Sequence, residues 1–181
     1  MEFRDISMQF CATVAADLPS IEALLDRCFG PDRHKRTAYQ LRHDAAPISG
    51  PTMVMREHGQ IVATVQYWPV VLDGACGHRF NLTLLGPIGV APELRGRGFG
   101  VALMKHSLSV ADTQNCGPIV LIGDVEYYGR FGFSAAHTKR WCLPGPVEQH
   151  RVLLRNLNQI ELPLDANLVA SIDTYIARPK V

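Results

Sequence analysis

The sequence predicts an α/β domain, of the α+β kind, built on a mixed sheet. Three observations predict it. Residues 52–90 carry three β-rich runs parted by short glycine turns, the pattern of an antiparallel meander. The third run then passes through a glycine-rich segment, Arg95-Gly96-Arg97-Gly98-Phe99-Gly100, into an amphipathic helical pattern. A short apolar run, Pro118 to Gly123 (PIVLIG), comes after that helix. Strand–helix–strand crossovers are right-handed, so this run should lie parallel to the strand that precedes the helix.

Residues 8–15 (MQFCATVA) read as a first strand, and Asp17 as a cap for the next element. Ile21, Leu24, Leu25 and Cys28 recur at helical spacing until Gly30-Pro31 stops them. Residues 37–42 read as a second short helix and 47–51 (PISGP) as a loop. The meander comprises 52–57, 61–68 and 81–90, with His58-Gly59 and 74–77 (GACG) as its turns. Residues 81–90 are nearly all apolar, as in a strand covered on both faces. Pro87 has no N–H and cannot complete a regular ladder there, so a bulge or splay is expected at 86–89. The long helix spans 98–114. Asp124 can cap a short helix carrying Tyr127 and Tyr128. A strand is expected from 132, a loop at 141–146, a strand at 150–157 and a terminal helix through Leu168, Val169, Ile172, Tyr175 and Ile176.

Bulk properties narrow the function. The 181 residues suit a single domain, with a core at about 8–145 and an extension at 146–181. A net charge of +1 argues against nucleic acid or an acidic membrane as partner. No apolar run reaches ~18 residues, and the start resembles no signal peptide, so a cytoplasmic protein without membrane contact is expected. The five cysteines are scattered and never paired as C-x-x-C, which predicts thiols in a reducing compartment and no metal.

A strand, a glycine turn and a helix N-terminus together form an anion-binding device. The first helical N–H groups have no internal partner, the helix dipole is positive there, and glycine permits close approach. A P-loop is absent, because no G-x-x-x-x-G-K-[ST] occurs. A Rossmann unit needs G-x-G-x-x-G after a first strand, whereas here G-x-G-x-G lies mid-chain. A turn that merely needs glycine is the bland alternative.

RGRGFG matches R-x-x-G-x-G and is preceded by GPIGVAPEL. Together they resemble the acetyl-CoA signature of the GNAT superfamily of N-acetyltransferases. A later stretch, Asp124 to Phe133 (DVEYYGRFGF), is similar to that superfamily's tyrosine-then-Gly-Phe motif. Residues 25–42 are similar to a bacterial branch of predicted acetyltransferases with unassigned substrates. The resemblance covers about residues 8–145. It implies a mostly antiparallel central sheet flanked by helices, with one central strand pair splayed apart.

The resemblance also implies a mechanism. Acetyl-CoA would be the acyl donor, held by the backbone of Ile88, Gly89 and Val90 and by Arg95, Gly96, Arg97, Gly98, Phe99 and Gly100. The acetyl group would pass directly, in a ternary complex, to a primary amine on a small molecule or peptide. Tyr128 would protonate the leaving thiolate. Residues 81–90 contain no carboxylate for the general base; Asp124 is the first candidate, with Glu57, Glu126 and His34 behind it. That missing carboxylate supports the alternative, a non-catalytic acyl-CoA sensor. The acceptor should be walled by 30–37, by Tyr67-Trp68 and by 141–146. Arg33, His34, Lys35 and Arg36 suggest an anionic group on it, or else a solvated loop. Members of the superfamily often dimerise, so a homodimer is an expectation by analogy.

Overall fold

A computed structural model describes residues 9–42 and 45–171, without the Cys76 side chain. It is a mixed α/β fold on an eight-stranded, mostly antiparallel sheet flanked by helices. The main path runs β1-β2-β3-β4-β5-β7, and β8 pairs with both β3 and β6. The strands are β1 Gln9–Ala12, β2 Met53–Glu57, β3 Gln60–Gly74, β4 Arg79–Val90, β5 Ile119–Ile122, β6 Arg140–Cys142, β7 Val152–Arg155 and β8 Asp165–Ala170. The helices are α1 Leu18–Phe29, α2 Thr37–Gln40, α3 Phe99–Thr113 and α4 Val125–Tyr128. The chain divides into two compact units.

The first unit comprises residues 1–33, 48–67 and 86–115. Its β1-β2-β3 meander is antiparallel, with a register shift at Met55/Arg56 beside the His58-Gly59 turn. Helix α1 has a proline in its first turn and ends on Gly30 at φ 83°, whose N–H returns to the Asp26 carbonyl at 2.8 Å. Both are standard punctuation for a helix. Its buried stripe, Ile21 and Leu25, packs with Val54. Asp17 does not cap α1 with its side chain. One carboxylate oxygen accepts the Val14 N–H at 3.1 Å and the other pairs with Arg56 at 2.5 Å. Helix α3 buries Phe99, Leu103, Met104, Ser107, Leu108 and Ala111. Tyr67, fully buried, meets Ser107 Oγ through its hydroxyl at 2.9 Å, while Ser107 donates to the Met104 carbonyl. Tyr67 is therefore core and not a wall for an acceptor. Tyr67→Phe leaves Ser107 its carbonyl partner, so the expected cost is about 1 kcal/mol, read as a fall of ~2–4 °C in melting temperature.

The second unit comprises residues 34–47, 68–85 and 116–181. Strand β5 runs parallel to β4, as the crossover rule requires, with Thr83 opposite Ile119 and Leu84 opposite Val120. That ladder stops there, and β5 continues to Ile122 paired with β7. The parallel ladder of β4 and β5 thus spans two residue pairs. The core gathers Val70, Leu72, Leu82, Leu84, Val120, Trp141, Val152 and Leu168.

Three expectations for the C-terminal region change here. Residues 141–146 begin as strand, because Trp141 is buried, donates its indole N–H to the Pro163 carbonyl at 3.0 Å and pairs with Ala166. Residues 132–136 contribute a single bridge, Ser134 to Leu154, and no strand. Residues 165–170 form β8, not helix: Ala166 and Leu168 are buried while Asn167 is exposed, a period of two. The rest of the expected helix lies outside the described residues.

Candidate active site

The residues expected to hold the acyl donor, Ile88–Val90 and Arg95–Gly100, all lie in the first unit. Strand β4 leaves the sheet through Ala91, and a 3₁₀ turn at Pro92–Leu94 leads to the glycines. Gly96 sits at φ 76° and Gly98 at φ 83°, a region where side chains are strained. Apart from the adjoining residues, no described atom lies within 4 Å of the Cβ position of either. Gly98 is the N-cap of α3, and its carbonyl accepts the Ala102 N–H at 2.9 Å. No side chain caps this end, and no acidic residue occupies the first turn. The opening N–H groups of this 15-residue helix therefore have no side-chain cap, and the positive end of the dipole lies behind them. Arg95 and Arg97 are exposed beside them. The Phe99 side chain is buried in the core, so only its backbone is available to a ligand.

Strand β4 changes step inside its expected bulge. The Thr83 N–H donates to the Pro118 carbonyl beside β5, at 2.9 Å. The Ala91 N–H donates to the Val62 carbonyl on β3, at 2.8 Å. In a regular strand these two residues would face the same edge, because backbone groups alternate with a period of two. They face opposite neighbours, so one residue is taken up between them. Gly86, at φ 133°, lies in that interval, and the Gly86–Pro87 peptide is cis. Counted back from Ala91, the backbone groups of Ile88 and Val90 point to the edge away from β3.

The residues expected to act in catalysis, Asp124 and Tyr128, lie in the second unit. Gly123, at the end of β5, donates its N–H to the Arg151 carbonyl at 2.9 Å. Asp124 opens α4 with its backbone: its carbonyl accepts the N–H groups of Tyr127 and Tyr128, both at 3.0 Å. The expected side-chain cap is not made. Its carboxylate, well exposed, instead forms an ion pair with Arg151 Nε at 3.1 Å. The Arg151 N–H is not aimed along that line, so the contact is electrostatic and not an aligned hydrogen bond.

Tyr128 stands edge-on to Tyr127 at 4.9 Å and to Phe133 at 6.2 Å. Burial, reinforced by Tyr127 and Asp124 and opposed by Arg151, pushes its phenol up to about 12. The ring lies over Gly123, where an added Cβ would collide with it. Gly123 does not lie in the left-handed region, so what it provides is room. Gly123→Ala should therefore displace the Tyr128 ring while leaving the fold intact. The expected readout is loss of most turnover with acetyl-CoA affinity unchanged; unchanged turnover would show that the ring position is immaterial.

The loop of cations expected beside the acceptor is not uniform. Arg33 is 1% exposed and pairs with Glu22 and with Asp26, the latter at 2.7 Å. It clamps the 3₁₀ turn at Pro31–Lys35 onto α1 and is spent structurally. The acidic pair four residues apart on α1 was the available signal. In the second unit, Thr37 Oγ1 donates to the Pro146 carbonyl at 2.6 Å, and a Cβ on Gly145 would meet Thr37 and Gln40 within 3 Å. Two of the expected acceptor walls, 30–37 and 141–146, thus touch where Thr37 meets Gly145 and Pro146. Among the described residues no cluster of three metal-ligating side chains occurs, and no helix is long and apolar enough to cross a membrane.

Comparison with known proteins agrees with this fold. Residues 12–136 match the family described as Acetyltransferase (GNAT) domain. The N-acetyltransferase YhbS of Escherichia coli is 29% identical over 141 residues, spanning 77% of this chain and 82% of its own. The crystal structure of E. coli YhbS in complex with CoA superposes with a TM-score of 0.73 at 23% identity, covering 94% of this chain and 93% of that one. A GNAT acetyltransferase from Brucella melitensis, in complex with acetyl-CoA, gives 0.65 at 21% identity over 91% and 96%. Naa50 of Arabidopsis thaliana, bound to the bisubstrate analogue CoA-Ac-MVNAL, gives 0.54 at 17% identity over 82% and 96%. The family match extends over more than half of the chain, and the protein belongs to the GNAT acetyltransferases.

Proposed function

We propose that the protein is a cytoplasmic, acetyl-CoA-dependent N-acetyltransferase acting as one catalytic domain on a primary amine of a small molecule or peptide. The observation that carries this is the uncapped N-terminus of α3, behind two left-handed glycines whose side-chain directions are open. It suits a diphosphate, with Arg95 and Arg97 supplying charge. The relatives bound to CoA and acetyl-CoA favour the same donor, and the peptide-linked analogue on Naa50 favours an amine at a peptide terminus as one acceptor type. Cys11, Cys28, Cys116 and Cys142 are thiols, which suits a reducing compartment.

In the reaction, the amine nitrogen attacks the thioester carbonyl and the carbon–sulfur bond breaks. The products are an acetamide and CoA. The nitrogen loses one proton and the thiolate gains one. An alkyl amine has a pKa of about 10, so a base or water chain must take the first proton. Asp124 is the proposed base, acting directly or through water; its exposure and its weak hold on Arg151 leave an oxygen available. The backbone N–H of Ile88 is the proposed oxyanion donor, supported by its direction away from β3. The pantetheine arm pairs with Ile88–Val90 as a pseudo-strand.

Tyr128 is the proposed acid. Its phenol stays protonated throughout the physiological range. Full transfer to a thiolate of pKa ~8.5 would run uphill by roughly 3–4 units, so the phenol acts chiefly by hydrogen bonding to sulfur as charge develops. The test is a panel of primary amines and amino-terminal peptides incubated with acetyl-CoA, read by release of CoA thiol. Acetylation of at least one acceptor class supports the reading. CoA binding without turnover on any amine would point to a sensor, and absence of CoA binding would remove the reading altogether.

A further inference from the structure

The last turn of α1 is fastened to the segment that leads into the glycine turn, and four contacts within the first unit do this. The Cys28 thiol donates to the Val90 carbonyl at 3.2 Å. Arg95 donates to the Cys28 carbonyl at 3.4 Å. Arg27 pairs with Glu93 at 2.7 Å. Gly89 is packed against the helix so closely that a Cβ there would meet Leu25 at 3.1 Å and Cys28 Sγ at 3.3 Å.

The Val90 carbonyl belongs to a peptide plane held from its other end as well, because the Ala91 N–H donates to Val62 on β3. In a trans peptide the C=O and N–H point in opposite directions, so two partners on opposite sides fix the rotation of the whole plane. Val62 is one partner and Cys28 is the other. The Val90 N–H lies on the same edge of the strand as its carbonyl. A thiol is a weak donor and contributes little to helix docking. Its value lies in aiming a backbone group.

We infer that Cys28 is a positioning residue for the acyl donor: by holding the Val90–Ala91 peptide plane, it aims the strand-edge groups that pair with the pantetheine arm. This rests on the proposed use of Ile88–Val90 for that arm. It deepens the reading by separating two parts of the cofactor site. The glycine turn and α3 hold the diphosphate without Cys28, whereas the strand edge depends on it.

That separation provides the test. Calorimetry is run with CoA and with adenosine 3′-phosphate 5′-diphosphate, the nucleotide half of CoA, which lacks pantetheine. Wild type, Cys28→Val and Cys28→Ser are compared. Valine approximates the cysteine in size without a donor, and serine restores one. The expected result is a ~3–10-fold weaker CoA affinity for Cys28→Val, the worth of one modest hydrogen bond. Nucleotide-half affinity should be unchanged, and Cys28→Ser should bring CoA back to within about twofold of wild type. Equal CoA affinity in all three proteins, or equal weakening of both ligands by Cys28→Val, overturns the inference while leaving the acetyltransferase reading intact. If wild type binds the nucleotide half but gains nothing from the pantetheine arm, the inference falls together with the strand-edge assignment.

Discussion

Gly98→Val removes CoA binding, by at least ~100-fold in calorimetry, while the protein stays folded. Two effects combine. A β-branched side chain at φ 83° strains the N-cap by about 1–2 kcal/mol. Its methyl groups also enter the open volume before the first N–H groups of α3, the volume a diphosphate would fill. Gly59 separates the two effects. It has φ 79° and equally open surroundings, but it lies in the β2–β3 turn. Gly59→Val carries the same backbone strain and should leave CoA affinity within about twofold. If Gly98→Val retains affinity, the cradle lies elsewhere; if Gly59→Val also loses it, strain and not crowding is responsible.

Tyr128→Phe lowers kcat by about 10²-fold and leaves the acetyl-CoA dissociation constant unchanged. General-acid help ranges over ~10²–10⁴, and the low end is expected because a phenol near 12 is a poor match for a thiolate near ~8.5. The raised pKa also sets the sign of the pH dependence. A phenol whose pKa is raised keeps its proton as pH climbs, so the acid form persists through about pH 10. Activity should rise with pH as the amine loses its proton, with no descending limb from Tyr128 below about pH 10. The variant should show the same profile at lower amplitude. A descending limb between about pH 7 and 9 in wild type, absent from Tyr128→Phe, would mean that burial does not hold the phenol up.

Much of this architecture is legible in the chain. The β2–β3 hairpin, the parallel β4–β5 pair and α3 come from local signals: a turn dipeptide, a crossover rule and a stripe of apolar residues at helical spacing. The C-terminal region is less legible, because β6 and β8 depend on partners far away in sequence. Trp141 becomes strand by pairing with Ala166, and Leu168 by pairing with Leu72. Apolar spacing there fits a helix nearly as well as a strand, and only the available sheet edge decides. Charged residues misled for a related reason. Arg33 reads as a solvated or ligand-facing cation until its two carboxylates on α1 bury it.

By itself the sequence determined the turn at Arg95–Gly100, since glycine is what a left-handed backbone requires and a helix start is what binds an anion. Pro87 likewise announced the break in β4, because a residue without an N–H cannot continue a ladder. Tertiary structure alone decided which way the broken strand faces. The bonds of Thr83 and Ala91 to opposite neighbours set the edge presented by Ile88 and Val90, and the Cys28 thiol holds it. It also decided why Gly123 is glycine, through the ring of Tyr128 resting on it. Backbone conformation is encoded within a few residues, whereas the direction of a peptide plane and the room for a ring are set by whatever packs against them.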